Sequence, residues 1–106
     1  MTTAQLKQLP VLSPFTVRVN GEDLTIDSRT FTMKEHRLRR RELTRISTED
    51  DLVPDDADVI AASIWVVMRR TTPDLTFDEV LESLNYGDLV DRTPAPGNHE
   101  AADPEA

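Results

Sequence analysis

Between Phe15 and Ile26 the chain alternates strictly. Phe15, Val17 and Val19 are apolar with Thr16 and Arg18 between them, and Leu24 and Ile26 then alternate with Thr25 and Asp27. A period of two is that of a strand with one buried face. The two runs are joined through Asn20-Gly21, the dipeptide that most readily takes up positive φ in a tight hairpin turn. A two-residue turn sets Val17 against Leu24, Phe15 against Ile26 and Arg18 against Asp23. A four-residue turn sets Val17 against Ile26 and Val19 against Leu24. Either way the same side chains share a face, because a slip of two preserves the pleat. An isolated hairpin is marginal in water, so its apolar face must lie on a helix or join another sheet.

After the hairpin the period lengthens. Thr32-Met33-Lys34-Glu35 reads as a capping box opening a helix over Met33 to Arg45. Leu38, Leu43 and Ile46 give that helix a thin apolar arc, while Lys34, Arg37, Arg41 and Arg45 follow at steps of three and four as a basic ridge. Ser47 to Val53 reads as an acidic connection, and Pro54 is placed in the first turn of a second helix, with Asp55, Asp56 and Asp58 at its positive dipole end. Val59 to Met68 is apolar nearly all round, interrupted by Ser63. Such a helix belongs in the middle of something, and a chain this short is expected to need an oligomer or partner to cover it. Thr76-Phe77-Asp78-Glu79 is a second capping box, with Leu75 and Val80 spaced as a hydrophobic staple. It opens a short third helix from Phe77 to about Asn85, with Gly87 as its terminator.

The expected fold is therefore α+β and mainly helical: an N-terminal β-hairpin, three helices and an acidic C-terminal tail. Residues 1–14, with Pro10 and Pro14, read as an irregular arm, residues 15–90 as one small domain, and residues 91–106, rich in Pro, Ala and acids, as disordered. At 106 residues the chain has room for one such domain. The longest apolar run is half of the ~20 residues a bilayer needs, and no secretory signal pattern stands at the start, so an intracellular, soluble chain is expected.

Charge alters this picture. The formal net charge is -8, but residues 29–45 hold seven cations against two acids, while residues 46–106 hold three against fifteen. One basic segment among acidic ones can pair internally, with copies of itself, or with separate partners. Catalytic chemistry finds no support: the chain has no cysteine, its only histidines are His36 and His99, and its three glycines form no phosphate loop. The aspartates from Asp50 to Asp58 lack the order of a calcium loop. No metal, cofactor or catalytic residue is expected. Nucleic acid is the less favoured partner for the basic ridge, since there is no second basic element and no aromatic side chain set to stack on bases.

Four stretches, taken together, resemble a known family. They are the strand pair, Phe31-Thr32-Met33-Lys34-Glu35 opening an Arg-rich helix, Asp58 through Ile64-Trp65-Val66-Val67-Met68 to Arg70, and Pro73-Asp74-Leu75-Thr76-Phe77-Asp78-Glu79-Val80. Over residues 15–89 the chain resembles the tail assembly chaperones of long-tailed bacteriophages, in their short form. The resemblance implies a non-enzymatic factor of the host cytoplasm, absent from the mature virion. Such a factor binds the tape measure protein, keeps it soluble and recruits tail-tube subunits, with self-association expected. It also implies that Ile60, Ile64, Trp65, Val67 and Met68 form the protein-contact face; Lys34, Arg37, Arg41 and Arg45, read from their helical spacing and not from the resemblance, offer an electrostatic contact. The alternatives are a structural tail or connector protein retained in the virion, and a small nucleic-acid-binding regulator using the Arg-rich helix.

Overall fold

A computed structural model describes residues 12–95. The order is strand β1 (Phe15–Val19), strand β2 (Glu22–Ile26), a 3-10 turn (Ser28–Thr30), helices α1 (Met33–Glu49), α2 (Asp56–Met68), α3 (Phe77–Ser83) and α4 (Tyr86–Val90), and a two-residue strand β3 (Thr93–Pro94). The fold is α+β and mainly helical, with an antiparallel sheet ordered β2-β1-β3.

The hairpin takes the two-residue register. Phe15 faces Ile26, Val17 faces Leu24 and Arg18 faces Asp23, and Arg18 and Asp23 lie 3.3 Å apart as an exposed ion pair. Asn20 and Gly21 both have positive φ, 53° and 83°. That combination makes a turn whose twist matches the two strands it joins. Phe15, Val17, Val19 and Ile26 are buried and Leu24, on the same face, is half-buried.

Helix α1 begins where its capping box places it. Thr32 Oγ1 accepts from the Glu35 amide at 3.1 Å, and the Glu35 carboxylate accepts from the Thr32 amide at 2.9 Å. It runs one turn beyond Arg45, taking in Ser47 to Glu49, because Ile46 packs into the core and holds the turn. Pro54 does not enter α2: Asp55 is the cap, reciprocally bonded with Asp58 at 2.9 and 3.1 Å. Burial pushes the Asp58 carboxyl above its ordinary range, and the Asp55 amide bond only partly offsets this.

The sharpest departure concerns α2. Ile60, Ala61, Ala62, Ser63, Ile64, Trp65 and Val66 are all buried within the chain's own fold. Four elements share the work: α2 packs against α1, α3, α4 and β2. Small side chains at Ala61, Ala62 and Ser63 let neighbouring backbones approach closely, so less material encloses the helix than its apolar content suggests. The expectation that a partner must cover the whole segment is corrected accordingly.

The C-terminal part differs as well. α3 ends at Ser83, and Gly87 lies inside a fourth helix without the left-handed φ of a terminator. Residues 91–95 belong to the fold: Thr93 and Pro94 pair with Thr16 and Phe15, and Arg92 and Ala95 are buried. Pro94 is tolerated because β3 is an edge strand. The proposed arm lies outside the described residues up to position 11, and the proposed tail from position 96.

Glu35 also joins two elements. Its carboxylate accepts from Arg70 Nε at 3.0 Å, and the Arg70 guanidinium holds the Glu35 carboxyl below its ordinary value of 4.5. A lowered carboxyl stabilises the fold fully above its unfolded value and loses that contribution as pH falls through the lower folded value. Glu35→Gln keeps a side chain able to close the capping box and removes the ion pair. The variant is expected to be less stable by about 0.5–1 kcal/mol at neutral pH. Thermal melts should show the gap closing as pH falls below 4.5; a gap constant down to the folded value would contradict the assignment.

Candidate functional site

Three features could serve contacts or chemistry: the exit of α2 from the core, the outer face of α1, and a polar cluster between the two helices. The five residues expected to form a protein-contact face do not share one surface. Ile60 and Ile64 have no exposed area and Trp65 retains 5%, whereas Val67 and Met68 are half-buried and reach the surface. Trp65 is locked by specific contacts. Its indole N–H donates to the Leu75 carbonyl at 2.9 Å, its ring packs on Phe77 at 5.7 Å between centroids, and the Arg69 guanidinium covers it at 5.3 Å. A buried indole normally finds such a partner for its N–H. Trp65 is thus a core side chain.

Val67 and Met68 open into a groove of about 410 Å³ against the hairpin, with Val19 and Leu24 on the opposite wall and Arg70, Thr71 and Thr72 at the rim. An apolar floor with a polar rim is the usual form of a protein-contact groove.

The basic ridge is only partly as expected. Arg45 is held by three carboxylates, Glu42 at 2.7 Å, Glu49 at 2.9 Å and Asp78 at 2.9 Å. The Asp78 and Glu42 carboxylates raise its pKa, so its charge is spent inside the fold. Lys34, Arg37 and Arg41 remain outward and form no ion pair among the described residues. Arg40, which the ridge pattern left out, stands exposed beside them.

Arg39 is the residue that helical periodicity missed. It points inward and is 8% exposed. Its guanidinium donates to Ser28 Oγ at 3.0 Å and Ser63 Oγ at 2.9 Å, contacts His36 Nδ1 at 3.3 Å, and lies over the Phe31 ring at 5.0 Å. Among the described residues no carboxylate bonds it, and burial lowers its pKa. Because guanidinium only donates, the His36 contact requires Nδ1 as acceptor. Ser63 serves both sides, accepting from Arg39 while donating to the Val59 carbonyl at 2.8 Å. The hydroxyl in an otherwise apolar helix was the one signal of this cluster in the sequence.

Among the described residues no group of three or more His, Asp or Glu side chains is placed to hold a metal ion, and no helix is long and apolar enough to cross a membrane. His99 lies outside the described residues.

Two substitutions separate core from surface. Trp65→Ala should destabilise the fold by about 3–5 kcal/mol, the range for emptying a buried aromatic site, read from chemical denaturation; a loss under 1 kcal/mol would mean the ring is not core. Ser63→Ala should cost about 1–3 kcal/mol by removing an acceptor from a buried cation, with far-UV circular dichroism unchanged. Comparison with protein-family models, curated proteins and solved structures finds no match to this chain.

Proposed function

We propose that the protein is a non-enzymatic tail assembly chaperone of a long-tailed bacteriophage, acting in the host cytoplasm and absent from the mature virion. On this reading it holds a hydrophobic stretch of the tape measure protein and helps recruit tail-tube subunits. The resemblance over residues 15–89 supports this reading, and one structural observation supports the contact: the last turn of α2 leaves the core as a half-buried apolar pair, Val67 and Met68, facing Val19 and Leu24 across an open groove. An apolar side chain of a helical client entering that groove exchanges water for Met68 and Leu24. A flexible thioether wall tolerates clients of varied shape. The contact face of this reading is accordingly Val67 and Met68 with Leu24, while Ile60, Ile64 and Trp65 support it from beneath.

The net charge of -8 suits a protein that must stay dispersed with apolar surface in use. Among the described residues that line the groove, Glu22 supplies one carboxylate and Arg70 one cation.

Co-expression with a tape measure fragment tests the reading. Met68→Glu and, on the facing wall, Leu24→Glu should each lower the soluble fraction of the client to the level seen without the protein, with circular dichroism of the isolated variants reporting a retained fold at a somewhat lower melting temperature. Client solubility unaltered in both variants would remove the groove from the mechanism. Detection of the chain by mass spectrometry in purified virions would instead favour a retained structural component.

A further inference from the structure

The outer face of α1 is not absorbed by that reading. From Lys34 to Thr48 the exposed positions are Lys34, Arg37, Arg40, Arg41, Thr44 and Thr48, four cations and two hydroxyls, and the next exposed residue, Glu49, is taken up by Arg45. None of the four cations enters an ion pair among the described residues. The acids of α1 are elsewhere engaged, Glu35 by Arg70 and Glu42 and Glu49 by Arg45. On a 3.6-residue helix Glu35 lies nearly opposite Arg37. The basic face therefore looks away from the side on which Arg70, a rim residue of the α2 groove, binds α1. It is a second, separate surface.

A helix face carrying four uncompensated cations in a chain of net charge -8 is complementary to a local cluster of anions. Its dimensions select among them. Lys34 to Arg41 spans about 10 Å of helix axis, and the chain then turns acidic at Glu49, Asp50 and Asp51. Duplex DNA carries a charge about every 1.7 Å along its axis, so a duplex continued along α1 would run past the cations to Asp50 and Asp51, which enter no ion pair among the described residues. Among the described residues no second basic element flanks the face to take phosphates to the side. Carboxylates at steps of three and four along a partner helix match the spacing of Lys34, Arg37 and Arg41, and can end where the cations end. At physiological salt, charges beyond about 8 Å are screened, so the acids on the far side of the fold do not cancel the attraction.

We propose that the outer face of α1, through Lys34, Arg37, Arg40 and Arg41, docks an acidic helical segment of another polypeptide. The face has no apolar centre to desolvate, so the contact fixes register and speeds encounter rather than supplying a tight grip. It is accordingly salt-sensitive.

The probe is a fluorescein-labelled Ala/Glu helical peptide with glutamates at three- and four-residue steps, titrated with the full chain by anisotropy. Saturable binding is expected at about 20 mM salt, weakened at least about tenfold at about 200 mM. A similar loss, about tenfold or more, is expected in the triple variant R37Q/R40Q/R41Q. All three positions are exposed, and circular dichroism should report an unchanged fold. No binding at low salt, or equal binding by the variant, would overturn the proposal. So would tighter binding of a duplex DNA oligonucleotide than of the peptide, which would make the face a phosphate surface. An oligomer of the free protein that the triple substitution dissociates in sedimentation would also overturn it, by assigning the face to a second copy.

Discussion

Helix α2 carries apolar side chains around most of its circumference, and the placement of its neighbours follows from keeping water off it. α1 covers one side, β2 another, and the short helices α3 and α4 close the remainder. Burying side chains such as Ile60, Ile64 and Val66 contributes about 1.5–3 kcal/mol each, the largest favourable contributions available to so small a domain. The hairpin gains as well: its apolar face, marginal alone, becomes a wall of the same core. Trp65 fastens this arrangement at the far end, because its N–H bond to Leu75 and its packing on Phe77 tie α2 to the start of α3.

The same enclosure carries a polar exception. Arg39 brings a guanidinium into the junction of α1 and α2 and is met by hydroxyls and an imidazole instead of a carboxylate. Such a group costs free energy to desolvate and returns it only when its donors are bonded. Its effect is on specificity: the two helices can slide or rotate only by breaking the bond between Arg39 and Ser63. Arg92 is a second buried cation, under the sheet. It donates to the Leu89 carbonyl at 2.9 Å and lies over the Phe15 ring at 5.6 Å. In both cases an aromatic face takes part of the charge.

Much of this was legible in the residues. The alternation around Asn20-Gly21 predicted the hairpin, and the backbone chose the shorter of two registers that present the same face. The capping signals at Thr32 and Thr76 placed two helix starts correctly, since those side chains bond amides three residues away and need no tertiary context. The cap of α2 was misplaced because Pro54 suits either side of a helix start, and only the reciprocal Asp55–Asp58 bonds decide between them. α4 and β3 carry almost no local signal, being five and two residues long; they form because Leu89, Arg92 and Ala95 find cover against β1 and α2. The intended contact face failed in part for one reason. Apolar content along a helix reports that cover is needed and does not report who provides it. Of the basic ridge, Arg45 is engaged by Glu42 and Glu49 at helical steps of three and four, a signal present in the sequence, and by Asp78, 33 residues away, which has no local signal.

Where the described fold begins and where it finishes, the chain meets itself. The Ala95 amide donates to the Pro14 carbonyl at 3.2 Å, beside the pairing of β3 with β1. Entry and exit therefore share one pole, away from the turn at Asn20-Gly21. With positions 14 and 95 side by side, a short link between them would permute the chain without pulling β3 away from β1.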